Sequence, residues 1–283
     1  MGKRFDILQF PGSKNKVFTL SYDDGVLQDR RLIAILDRYG VKCTFNLGYG
    51  VLGYRSPEGM PFDISKVEKE EVRELYRDHE VGGHGLYHSD LGALKSPYCS
   101  YEINADKKGL EELTGYPLKT FAYPFGFFNE EVKTILKLNG YKGARTVRST
   151  GTFELPKDPL ELDPTCHHND ERLFDLAREF VEMKNLKPAM FYVWGHAYEF
   201  DKDDNWERIE KLLSYISQFQ DVIWFATNGE ILDYLQAYEM LEYSVDGSLI
   251  YNPSCRDVFI RTAFDQSECL KSGAVTRIKD TSL

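Results

Sequence analysis

Short apolar runs alternate along the chain with stretches whose apolar residues recur at helical spacing. Val17-Phe18-Thr19-Leu20 is β-branched, aromatic or aliphatic throughout, and reads as a buried strand ending at Asp23-Asp24-Gly25. The same reading predicts strands over 17–22, 42–47, 80–83, 120–123, 143–147, 190–194 and 222–226. Leu27 to Tyr39 carries its apolar residues on one helical face and stops at Gly40. Ser65-Lys66-Val67-Glu68 has the form of a capping box opening a charged helix to Arg77. Further helices are predicted from Ser100 to Gly115, Asn129 to Gly140 and Asn169 or Asp170 to Met183. Two more start at Asn205 and at a second capping box, Thr227 with Glu230.

Repeated strand–helix units argue for a parallel sheet. Seven strands without polar alternation fit an α/β barrel with helices outside, and an open doubly wound sheet is the competing architecture. The barrel is favoured because polar residues mark most strand ends: Asp23, Asp24, Asn46, His84, Tyr123, Arg145 and His196. In a barrel these carboxyl ends converge on one face, where active sites form. After Tyr238 the pattern changes. Glu242-Tyr243-Ser244-Val245 and Leu249-Ile250-Tyr251 flank Asp246-Gly247-Ser248, a hairpin turn. Val258-Phe259-Ile260 and Val275-Thr276-Arg277-Ile278 read as further short strands. The expected organisation is a barrel over 1–238 and a β extension over 239–283.

Charge narrows the partners. The 283 residues carry a formal net charge of −10, with a pI near 5.2. No basic stripe exists to pair with a nucleic-acid backbone or an anionic membrane surface. Neutral or cationic substrates, such as sugars or amino sugars, fit better. No apolar run reaches the length of a membrane span. The first ten residues lack an apolar h-region, so the expected location is cytoplasmic. The five scattered cysteines form no CxxC pair and read as reduced thiols.

The chemistry starts from the acid pair. Two adjacent carboxylates repel each other unless a cation sits beside them, and a metal ion is the simplest one. His84-Gly85-Leu86-Tyr87-His88 places two imidazoles one helical turn apart, so both can reach one ion. Asp24, His84 and His88 together suit zinc or another borderline divalent metal. Asp23 then reads as a base acting on the water that the metal acidifies, or else as a residue orienting a ligating histidine. His196 ends the apolar run Met190 to Gly195 and is placed to protonate a leaving amine, the alternative being a hydrogen-bonded core histidine. Phe121-Ala122-Tyr123-Pro124-Phe125-Gly126 constrains its backbone and could aim the Phe125 amide at an oxyanion, or form an ordinary turn.

Tyr22-Asp23-Asp24-Gly25, His84 to His88, Phe121 to Gly126 and Val193 to His196, in that order, resemble the motifs of NodB-homology polysaccharide deacetylases (carbohydrate esterase family 4). The resemblance covers residues from about 15 to 235. It implies a distorted (β/α)7 barrel, a divalent metal that is usually zinc, and hydrolysis of N- or O-acetyl groups from sugars. It matches Asp23 to the general base, and Asp24, His84 and His88 to the metal ligands. His196 matches the general acid, and the Phe125 amide the oxyanion donor. Two departures stand out. Ala122, with Lys119 nearby, occupies the place of the arginine that steers the catalytic Asp, and Arg145 is the candidate to replace it. The usual Asp–Trp segment is replaced by Leu162-Asp163-Pro164-Thr165-Cys166-His167-His168, where Asp163 is the candidate to orient His196. Tyr123, Trp194 and His168 (or His167) are candidates to line the substrate pocket. Tyr49, Tyr54 and Phe62 of loop 48–62 could stack on sugar rings. The leading expectation is a metal-dependent carbohydrate deacetylase. The alternatives are hydrolysis of a non-sugar amide or cyclic imide, and carbohydrate binding without turnover.

Overall fold

A computed structural model describes residues 6–184, 187–262 and 266–278. Its centre is a parallel sheet of eight strands: β1 (Lys16–Asp23), β2 (Thr44–Leu47), β3 (Glu80–Gly83), β4 (Thr120–Ala122), β5 (Gly143–Arg145), β6 (Cys166–His167), β7 (Ala189–His196) and β8 (Ile223–Phe225). The neighbours run β5-β4-β3-β2-β1-β7-β6, and β8 also pairs with β1. All eight residues of β1 are buried, as a strand covered on both faces requires. β1 pairs with β7 along its whole length, while β8 takes the other side of its first half and β2 that of its last residues.

The sheet curls into the distorted (β/α) barrel that the strand–helix repeat predicts. Its open edge is bridged irregularly. Leu162 donates to Ala144 and accepts from Thr146 beside β5 (2.8 and 3.1 Å), and Thr165 and His168 donate to β7 carbonyls (both 2.8 Å). The Asp29–Arg38 helix buries Leu32, Ile33, Ile35 and Leu36 against the sheet, the amphipathic pattern of an outer-layer helix. Asn129 caps the Glu130–Leu138 helix through Val132 N (3.0 Å), and Thr227 with Glu230 forms a complete capping box.

Other boundaries moved for identifiable reasons. The helix expected at Ser100 begins at Ser96, with Pro97 in its first turn where a missing N–H costs nothing. The helix expected from Asn169 or Asp170 spans Leu173–Glu182. Ser65 caps no helix. Its hydroxyl accepts from Ser56 N (3.0 Å), and the helical residues are only Lys69–Glu71 and Val72–Leu75. Beyond the barrel lie two three-stranded antiparallel sheets. Glu242–Tyr243, Leu249–Tyr251 and Val275–Arg277 form one, and Ile7–Gln9, Val258–Arg261 and Ser267–Leu270 form the other. The N-terminal strand therefore belongs to the C-terminal extension, which docks on the Asn228–Glu239 helix through Tyr234 (Oη to Gln9 O, 2.7 Å) and an Arg256–Asp233 ion pair. Within the described residues no helix is long and apolar enough to cross a membrane. All five cysteines are free.

Candidate metal centre and active site

Strand register builds the site. Asp23 at the end of β1 pairs level with Asn46 on β2 and with His196 on β7. Three strand ends thus put an acid, an amide and an imidazole in one row. Asp24, the residue after Asp23, leaves its strand through left-handed backbone. Among the described residues five non-glycines have positive φ, and three of them are Asp24 (+84°), His88 (+55°) and Phe125 (+57°). Such conformations cost about 1–3 kcal/mol each and gather at functional sites.

Asp24, His84 and His88 offer one ligand atom each, all within 4.8 Å of one another. His84 Nε2 lies 4.0 Å and His88 Nε2 3.7 Å from Asp24 Oδ1. His84 Nδ1 sits 2.8 Å from Ala122 O, so Nδ1 carries the proton and Nε2 turns its lone pair to the site. Burial first of all pushes the His84 imidazole down to about 4, so it is neutral at pH 7, the form a metal needs. Burial alone would raise the Asp24 carboxyl, but Lys66 and then the histidines hold it well below the usual range. One carboxylate and two imidazoles fit a divalent ion such as zinc.

The loop carrying both histidines is gripped from behind. Asp106 accepts from the backbone N–H groups of Tyr49 (2.7 Å), His84 and Gly85 (both 3.1 Å). Glu102, one turn earlier on the Ser96–Thr114 helix, accepts from Tyr87 N (3.0 Å) and Ser89 Oγ (3.1 Å).

Asp23 is enclosed. Its Oδ1 accepts from Asn46 Nδ2 (2.9 Å), and its Oδ2 accepts from Arg145 Nη2. The Arg145 guanidinium is buried, lies 4.3 Å over the Trp194 ring and donates to Thr146 O (3.2 Å). Burial raises the Asp23 carboxyl, but Arg145, then His84 and His196, hold it below its ordinary value. His196 Nε2 lies 3.9 Å from Asp23 Oδ2, and its Nδ1 lies 3.3 Å from Glu199 Oε2. Glu199 also accepts the His196 backbone N–H (3.1 Å). Burial lowers the His196 imidazole, yet Glu199 and then Asp23 bring it above the ordinary histidine value, toward a protonated acid.

Residues 11–144 match the family model described as polysaccharide deacetylase. Among solved structures the chain is similar to a Mycobacterium smegmatis protein described as a polysaccharide deacetylase (16% identity, 84% of this chain and 96% of that one, TM-score 0.61). The Xyl-CE4 domain of a multidomain xylanase from the hindgut metagenome of Trinervitermes trinervoides is also similar (15% identity, 79% and 92%, TM-score 0.52). Over residues 11–144 the chain is polysaccharide-deacetylase-like. A third similar structure is a CE4 family pseudoenzyme from Bacillus anthracis (18% identity, TM-score 0.51), where 77% of this chain covers 66% of that one. At these identities the structural likeness is one of fold. Among curated proteins none is significantly similar.

Set against the deacetylase motifs, the structure explains one departure. Ala122 pairs level with Arg145 on the neighbouring strand, so a guanidinium reaches Asp23 from one strand over. Three sequence expectations need correction. Asp163 does not meet His196. It accepts from Thr146 Oγ1 and from Arg148 Nε (3.0 Å), and Glu199, three residues beyond His196, stands in its place. Tyr123 is fully buried, stacked on Phe128 with its hydroxyl donating to Leu160 O (2.9 Å), so it lines no open pocket. His168 is likewise buried, between Tyr22 and Phe200, and burial holds its imidazole well below the ordinary value. A Cβ on Gly195 would come within 2.1 Å of the His168 ring, so glycine is required there.

Trp194 is half-buried between Arg145 and His167. Phe125 presents an exposed ring edge-on to His88 (4.5 Å). Of the loop aromatics, Tyr49 packs on Gly109, Tyr54 is exposed, and Phe62 stacks on Tyr198 (5.5 Å) next to His196. Glu199 was missed because nothing in its local sequence marks it. Its only signal is the three-residue spacing from His196.

Proposed function

We propose that this chain hydrolyses acetyl groups from a carbohydrate, using a divalent ion, zinc first among candidates, held by Asp24, His84 and His88. The observation that carries the reading is the convergence, on one face of the barrel, of that ligand set with a charged Asp23 and a charge-stabilised His196. A divalent ion supplies Lewis-acid polarisation of the scissile carbonyl and makes a water more acidic. Asp23 takes the proton of the attacking water. Asn46 and Arg145 fix one carboxylate oxygen each, and the remaining lone pairs stay free to accept it. His196 gives its Nε2 proton to the departing amine or alcohol as the bond to the acyl carbon breaks. Glu199, at Nδ1, favours the imidazolium before that transfer. The Phe125 amide is the candidate donor to the developing oxyanion.

Carbohydrate binding without turnover gives no reason for an acid and an imidazole to face each other beside that ligand set, each shifted toward its charged form. The testing experiment is acetate release from acetylated chito- and xylo-oligosaccharides by zinc-loaded chain, beside metal analysis of Asp24→Ala. The reading expects acetate from the native chain and loss of bound zinc in the variant. Zinc affinity unchanged in Asp24→Ala would refute the ligand assignment. Hydrolysis of a cyclic imide without acetate release would move the substrate to the non-sugar class.

A further inference from the structure

One more charge faces the candidate metal centre. Lys66 Nζ lies 3.4 Å from Asp24 Oδ1, the same oxygen that faces His84 and His88. The lysine side chain is only 10% exposed, and among the described residues Asp24 is its one ion-pair partner. Its position is set by backbone rather than by a wandering side chain. Residues 65–67 are stitched antiparallel to the turn that follows Asp24. Leu27 N donates to Ser65 O (2.8 Å), Val67 N donates to Gly25 O (2.9 Å), and Val26 pairs with Lys66. Lys66 N also donates to Tyr54 O (2.9 Å), and Arg55 Nη1 donates to Lys66 O (2.7 Å). The apparent capping box at Ser65 is therefore a pairing device that delivers an ammonium to the ligand carboxylate.

We propose that Lys66 is a built-in competitor for the metal: its ammonium neutralises Asp24 when no ion is bound, and it weakens the site for a divalent cation. The inference rests on the reading of Asp24, His84 and His88 as metal ligands. The physical reason is like-charge repulsion across a poorly solvated gap, where a fixed cation and an incoming one share a carboxylate oxygen. Screening by salt is weak for groups this buried. The ligand set alone would bind more tightly than the native chain does.

The test is titration of metal-free protein with zinc ion alone, in competition with a chelator of known affinity. Native chain, Lys66→Met, Lys66→Arg and the exposed-lysine control Lys108→Met are compared. Lys66→Met is expected to lower the zinc Kd at least tenfold, while Lys66→Arg and Lys108→Met stay near native. A second readout is thermal unfolding. Without zinc, Lys66→Met is expected to melt below the native chain, because Asp24 has lost its countercharge. With saturating zinc its rise in Tm is expected to exceed the native rise. Lys66→Gln substitutes where the methionine variant does not fold. An unchanged or weaker zinc Kd in Lys66→Met and Lys66→Gln would overturn the competitor role while leaving the ligand assignment standing. Absence of zinc binding in every variant and in the native chain would overturn the ligand assignment, and this inference with it.

Discussion

Arg145→Ala is the perturbation with the clearest expected magnitude. Asp23 and Arg145 are almost wholly buried, at 2% and 1% exposure, and their side chains are hydrogen-bonded. Removing the guanidinium leaves the Asp23 carboxylate with Asn46 as its remaining hydrogen-bonding side chain. Breaking a buried pair from one side costs about 3–5 kcal/mol, because the surviving charge stays desolvated. For a chain of this size about 2–3 °C of Tm accompanies each kcal/mol, so a fall of about 6–15 °C is expected. The catalytic cost is separate. A general base contributes about 10²–10⁴-fold, and an unsteered Asp23 is expected to forfeit about 10²–10³ of kcat/KM. Arg145→Lys keeps the charge but not the planar group over Trp194 or the second donor to Thr146 O, so it should fall between the two. Differential scanning calorimetry and steady-state acetate release check both parts. Turnover within about twofold of native in a folded Arg145→Ala chain would refute the steering role.

Glu199→Gln removes the charge that favours the His196 imidazolium. His196 then falls from above its ordinary value, so the alkaline limb of the kcat/KM–pH profile should move to lower pH. The stability that this raised imidazole contributes is present below the unfolded histidine value and is lost as pH rises through the folded one, so Glu199→Gln should also lower Tm at acid-to-neutral pH. Asp163→Asn, by contrast, should leave that limb where it is, since Asp163 bonds Thr146 and Arg148. Gly195→Ala drives a methyl into the His168 ring and should destabilise by about 1–3 kcal/mol in denaturant unfolding.

The fold was legible because its strands are continuous apolar runs. All seven strand segments lie where those runs predict, and the capped helices at Asn129 and Thr227 follow from local chemistry. The metal ligand candidates were legible because Asp24 and the His84–His88 pair each follow a strand end. What the sequence could not carry is register. Whether Arg145 reaches Asp23 depends on β5 lying level with β4, which no local pattern encodes. The same limit hid Glu199, whose short helix Tyr198–Lys202 has no cap signature, while Asp163 looked better placed in the linear order. Ser65 misled because Ser-x-x-Glu is also what a loop presents when its serine bonds another loop. Cys166–His167 is too short a strand to register as a periodic run, though it carries the sheet from β7 toward its open edge.

The most direct test compares acetate release by zinc-loaded native chain and Asp23→Asn, with bound zinc measured in the same samples. The account predicts turnover of an acetylated oligosaccharide by the native chain. It predicts at least a hundredfold loss in Asp23→Asn, with zinc content unchanged, because Asp23 moves the proton and Asp24 holds the ion. Equal turnover in the two samples, or no acetate from the native chain with zinc bound, would contradict it.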